Sequence, residues 1–170
     1  AINFSQNNLN VKTCLVAPEG TILECAILFG FALECTKRLN NVNFIWRFPP
    51  QVDIRTLQKS DAKFKTLEEN VSISRVRLED DIKSSTHILY RGSSVVIQAV
   101  LSGLKPIYFM QDNELYMDSL FGCQEDSRTV KSTSDFESKI QSMWQVSDKL
   151  IAHCENMYTE VNIKVLEGIE

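Results

Sequence analysis

The sequence predicts an α/β protein, a mostly parallel sheet of five or six strands held between two layers of helices. Three observations lead there. Short β-branched or aromatic runs alternate with helical segments along the chain, the pattern of a parallel sheet covered on both faces. At 170 residues the chain is long enough for one full hydrophobic core and too short for two, so a single domain over residues 1–170 is expected, with no internal repeat. Its 44% hydrophobic and 24% charged residues, with only 6 Gly and 4 Pro, are those of a globular domain and exclude a disordered, collagenous or low-complexity chain.

Residues 1–10, with four Asn, read as a linker, and a chain that begins at Ala1 rather than Met reads as a piece of something longer. Val11 to Ala17 is the first strand, of the buried type, closed by Pro18-Glu19-Gly20. From Thr21 to about Leu39, Ile22, Cys25, Ala26, Phe29, Ala32 and Leu33 recur at spacings of three and four, which gives a helix. Asn43 to Phe48 is a second strand, stopped by Pro49-Pro50 because proline cannot extend a ladder. Asp53 to Leu67 reads as one polar surface helix with Asp53 as its N-cap. Val71 to Ser74 is a short third strand, Glu79 to Ser84 a short helix and Thr86 to Tyr90 a fourth strand. After Arg91-Gly92-Ser93-Ser94 comes a compact helix, Val95 to Ser102, ended by Gly103 in the left-handed region. Pro106 to Met110 is the fifth strand, Asn113 to Leu120 a loop-helix crossing and Thr129 to Lys131 a weak sixth edge strand. Residues 134–168 supply terminal helices, broken near Ser147. Right-handed crossovers turn this order into a Rossmann-like three-layer α/β/α sandwich with every strand's carboxyl end on one side, where ligands bind.

Charge and cysteine usage narrow the partners. The net charge of −4 argues against nucleic acid, yet residues 37–91 hold 11 Lys/Arg against 7 Asp/Glu, whereas residues 112–170 hold 5 against 12. A local positive field of that kind suits a small anionic ligand. Cys14, Cys25, Cys35, Cys123 and Cys154 are odd in number, widely spaced and without a CxxC pair, so they read as buried thiols of a reducing cytoplasm and not as a zinc site. The apolar run Cys25 to Leu33 is bounded by Glu24 and Glu34, well short of the roughly 18 residues that span a bilayer.

Five loops lie at the carboxyl ends of the strands: Pro18 to Thr21, Arg47 to Pro50, Ser74 to Arg77, Arg91 to Ser94 and Gln111 to Asn113. The fourth is the most informative. Gly92 lets a backbone approach closely, Ser93 and Ser94 offer hydroxyls, and a helix begins there with its unpaired N–H groups outward, which together make a phosphate seat. A plain helix cap explains the same serines. Glu19 stands either as a contact to a ligand's sugar or as an exposed turn carboxylate. His87 and His153 read as packed or surface residues, and Glu79-Asp80-Asp81 as an acidic helix start.

The segment Thr86-His87-Ile88-Leu89-Tyr90-Arg91-Gly92-Ser93-Ser94 and its continuation through Gln98, Ala99, Gly103 and Pro106 to Tyr108 resembles the donor-binding segment of GT-B glycosyltransferases. Val16-Ala17-Pro18-Glu19-Gly20 resembles that family's first strand and glycine turn. Phe44-Ile45-Trp46-Arg47-Phe48-Pro49-Pro50 is similar to the strand that ends in His-Pro in bacterial polysaccharide transferases. The resemblance covers about residues 11–131. It implies the carboxyl-terminal, nucleotide-sugar-binding half of a two-domain cytoplasmic enzyme of surface polysaccharide synthesis.

In that family the phosphates lie over the residues matching Gly92, Ser93 and Ser94, with Gly20 nearby, and base and ribose contact the loop Ser74 to Arg77, which includes Arg75. The family's ribose-binding Glu is Gln98 here, an amide that accepts a hydrogen bond without the charge. Pro49 stands where the family has His; Arg47 either forks onto phosphate in its place or points into a helix layer. Arg91 is expected to neutralise the leaving diphosphate. The resemblance further implies an amino-terminal acceptor domain outside this chain, which carries the general base, so the fragment alone is expected to be inactive. Peripheral association with the inner membrane is expected through the full-length protein. No metal, no cofactor apart from the nucleotide-sugar substrate and no nucleic acid are expected. Two alternatives stand beside it: half of a nucleotide-sugar epimerase, and a non-catalytic binding module of the same fold.

Overall fold

The strands pair in the order β3-β2-β1-β4-β5-β6, all parallel, as the chain returns past its own first strand to build the second half of the sheet. A computed structural model describes residues 11–123 and 128–167, with side chains through residue 158. The expected linker, residues 1–10, and the last residue assigned to the terminal helices, 168, lie outside the described residues. Strands β1 (Lys12–Pro18), β2 (Val42–Trp46), β3 (Val71–Ile73), β4 (His87–Arg91), β5 (Lys105–Phe109) and β6 (Thr129–Val130) alternate with helices α1 (Ile22–Arg38), α2 (Ile54–Ser60), α3 (Leu78–Lys83), α4 (Val95–Leu101), α5 (Thr133–Gln141) and α6 (Asp148–Glu167). The fold is a Rossmann-like three-layer sandwich.

Side-chain alternation along each strand divides the core in two. Cys14, Val16, Leu89, Ile107 and Phe109 face α1, α2 and α5, while Leu15, Ala17, Ile88, Tyr90 and Tyr108 face α3, α4 and α6. Phe29 of α1 stacks on Trp46 at 4.6 Å between ring centroids. Helix α4 ends as its sequence requires: Gly103 takes φ +90°, Leu104 N–H donates to the Ala99 carbonyl and Gly103 N–H to the Val100 carbonyl, a Schellman closure. Among the described residues no helix is long and apolar enough to cross a membrane.

Two elements differ from the sequence reading. The single helix expected over Asp53 to Leu67 is two pieces: α2 stops at Asp61, which has extended backbone at φ −152° and caps a separate 3-10 turn, Ala62–Lys65, by accepting from Lys63 N–H. Aspartate offers the backbone a local alternative to the helix, and here the alternative prevails. The crossing at Asn113 to Leu120 holds no helix; the buried Asp118 carboxylate accepts from Leu120 N–H, the Tyr90 and Tyr116 hydroxyls and Arg128, so side chains organise this segment. The break near Ser147 spans 142–147, and the Ser147 hydroxyl accepts from Leu150 N–H at the start of α6.

Candidate functional site

The chain reverses its direction of travel across the sheet between β1 and β4, and at their carboxyl ends lies a cleft of about 620 Å³. Three of the five candidate loops form it: Pro18 to Gly20, Arg47 to Gln51, and Gly92 to Val95. Gly20, Arg47, Gly92, Ser93 and Ser94 are thus brought together, although 27 positions or more separate the three stretches in the chain. A smaller recess of about 230 Å³ adjoins it, sharing Arg47 and Phe48 and extending to Ile73, Ser74 and Val76 after β3.

The β4–α4 turn is open on its inner edge. Gly92 has φ +64°, a backbone conformation that favours glycine, and the Glu19 carboxylate lies over it, with Oε2 2.6 Å from where a Cβ would stand. Among the described residues, the N–H groups of Gly92, Ser93 and Ser94 donate to no protein acceptor, and the hydroxyls of Ser93 and Ser94 have no partner. Ser94 does not cap its helix through its side chain, which removes the plain-cap explanation for this serine. Helix α4 has seven residues, so the turn's own N–H groups, and not a long helix dipole, define what the turn offers. Gly20 serves another neighbour: the Gln51 amide nitrogen lies 2.8 Å from the position of a Cβ there.

Arg47 reaches the cleft and the helix layer at once. Its Nη1 donates to Asp81 Oδ2 at 2.6 Å and to the Val76 carbonyl at 3.0 Å, while its Nε and Nη2 have no protein partner among the described residues. Ser74 Oγ donates to the same Asp81 oxygen, which fixes the carboxylate beneath the loop after β3. Arg91 behaves differently from its sequence assignment beside a leaving diphosphate. It is 2% exposed and turned inward: Nε donates to Glu24 Oε2 at 2.7 Å and Nη1 to Glu114 Oε1 at 2.5 Å. Burial alone would lower its affinity for the proton, but the two carboxylates outweigh that and hold the guanidinium charged. Glu114 also accepts from Gln111 N–H, so Arg91 ties α1, β4 and the segment after β5 into one knot. Arg75 is exposed after β3 and lines neither cavity, and Gln98 is half-buried on α4 and lines neither.

Asp81, Glu24 and Glu114 are the residues that sequence reasoning missed. Asp81 lies in the acidic first turn of α3, as expected, but is buried and paired with Arg47, and Glu24, read as an interruption of an apolar run, is the inward partner of Arg91. Sequence carries no periodic signal for such pairings, because each joins elements far apart in the chain. Among the described residues no group of three or more His, Cys, Asp or Glu is placed to hold a metal ion.

The class these features define is a parallel α/β domain with a cleft at its topological switch point. No family model and no curated protein sequence matches the chain. Among solved structures the fold is similar to the glycotransferase of kitacinnamycin, at a TM-score of 0.52 and 12% identity over 96% of this chain and 43% of the other. It is likewise similar to the KpsC β-Kdo 2,4 transferase of Thermosulfurimonas dismutans, at a TM-score of 0.50 and 11% identity over 90% of this chain and 46% of the other. The chain spans less than half the length of either solved structure. At these identities the likeness is one of fold.

Proposed function

We propose that this chain is the donor-binding half of a glycosyltransferase of surface polysaccharide synthesis, seating the phosphate of a nucleotide sugar against the Gly92–Ser94 turn. The observation that carries this reading is the conjunction, in one switch-point cleft, of unpartnered N–H groups and hydroxyls with Arg47. Backbone N–H groups clustered at a turn are donors suited to phosphate oxygens, and a guanidinium adds charge and a second pair of donors. Gly20 gives the other wall, and the recess reaching Ser74 and Val76 has room for base and ribose. Gln98 is not needed for the ribose in this arrangement, and Arg91 acts indirectly, by holding the turn's flank. The two fold neighbours that carry the names of transferases, and the share of their length that this chain spans, support the same reading. The acceptor site, the general base and any membrane contact then belong to an amino-terminal domain working beside this one in the cytoplasm, and transfer needs both halves held together.

Thermal-shift and calorimetric titration of the chain with UDP, GDP, CDP and CMP tests the reading. A ligand present at about 100 times its Kd stabilises the fold by about 2.7 kcal/mol. A rise of a few degrees in Tm with one nucleotide is expected; no stabilisation by any of them at millimolar concentration contradicts the site.

A further inference from the structure

Among the described residues that line the large cleft, two have side chains that ionise, Arg47 and Glu19. Arg47 is anchored through Nη1 to Asp81. The Glu19 carbonyl accepts from Thr21 N–H, but its carboxylate has neither a hydrogen bond nor an ion pair with any described residue, and it leans over the β4–α4 turn, with Oε2 and Cδ 2.6 and 3.3 Å from where a Gly92 Cβ would stand. The turn therefore sets an unpaired carboxylate beside unpaired donors without the two being bonded to each other. A carboxylate only accepts: it repels a neighbouring anion and binds a neighbouring hydroxyl.

We propose that Glu19 is the specificity-determining residue of this cleft, accepting hydrogen bonds from the hydroxyls of a sugar esterified to the seated phosphate and rejecting ligands that bring phosphate alone. The inference rests on the nucleotide-sugar reading above. It has a chemical consequence for turnover. Loss of the sugar leaves the terminal phosphate with one more negative charge and no hydroxyl donors, so the same carboxylate that helps to hold the donor helps to expel the bare nucleotide.

The test compares the wild-type chain with Glu19→Gln by calorimetric titration with inorganic pyrophosphate, with UDP and UDP-glucose, and with CMP and CMP-N-acetylneuraminate. Glu19 is exposed, so the variant should melt as the wild type does. In Glu19→Gln, pyrophosphate and bare nucleotide should bind about fivefold more tightly, while the preference for the sugar ester over its bare nucleotide should fall about tenfold. A common factor across all probes, or weaker pyrophosphate binding, overturns the role of Glu19 and leaves the cleft assignment standing. Absence of binding by every probe to the wild-type chain overturns the nucleotide-sugar reading and this inference with it.

Discussion

Arg91 and His87 sit at opposite ends of β4, and each shows what a single position can and cannot disclose. From sequence, Arg91 stands beside a Gly-Ser turn and invites a role with phosphate; only the packing of α1 and of the segment after β5 brings Glu24 and Glu114 to it. For His87 the sequence leaves a packed and a surface position open, and the residue is packed, 2% exposed with Nδ1 at 2.8 Å from Thr86 Oγ1. Burial first, and then the ammonium groups of Lys105, Lys12 and Lys139, push its pKa down to about 4. The unfolded chain, with an ordinary histidine near 6.5, binds more protons than the folded chain between those two values. Stability from this residue is therefore full above about pH 6.5 and is lost as pH falls toward 4, amounting to about 2 kcal/mol between pH 7.5 and pH 5. Urea denaturation at the two pH values measures it, and His87→Gln should show a correspondingly flatter dependence.

At the scale of elements, the strands and the long helices were legible because their signals are periodic and local. Apolar spacing of three and four in α1, β-branched runs ended by Pro49-Pro50, and Gly103 after α4 each fix a boundary within the residues that carry it. The sequence failed where side chains from distant segments replace backbone bonding, at the Asp61 corner and above all along 111–123. Asp118 and Arg128 are 3% exposed each and ion-paired at 2.7 Å, with the Tyr90 hydroxyl donating to the same carboxylate at 2.6 Å. Tyr90 is raised well above its ordinary pKa by burial and by that carboxylate, so its hydroxyl stays neutral and donates. Replacing Asp118 by Ala leaves the Arg128 charge buried without this carboxylate and should cost about 3–5 kcal/mol. The same variant should expose 111–123 to limited proteolysis under conditions in which the wild type resists it; equal stability and equal protection would show that the carboxylate does not organise the segment.

For the whole molecule, alternation of strand and helix was enough to anticipate the sheet, and the rule that ligands lie beyond strand carboxyl ends was enough to nominate the loops. The structure adds which loops meet. Those after β1, β2 and β4 close around one cleft, the loop after β3 forms its smaller neighbour, and Gln111 to Asn113 lines neither. The basic middle of the chain does not become a basic cleft, since Arg91 is neutralised inside and Arg47 is half engaged by Asp81. In the proposed reading, main-chain donors therefore carry more of the work of holding an anion than the charge count along the sequence suggests.

Nuclear magnetic resonance of the nitrogen-15-labelled chain tests that claim at its source, by following the backbone amides during titration with the nucleotide that stabilises the fold most. Saturable shifts concentrated at Gly92, Ser93 and Ser94, with smaller ones at Gly20 and Arg47, are the expected result. Saturable shifts confined to residues outside the cleft, or an unchanged Gly92–Ser94 turn at full occupancy, would contradict it.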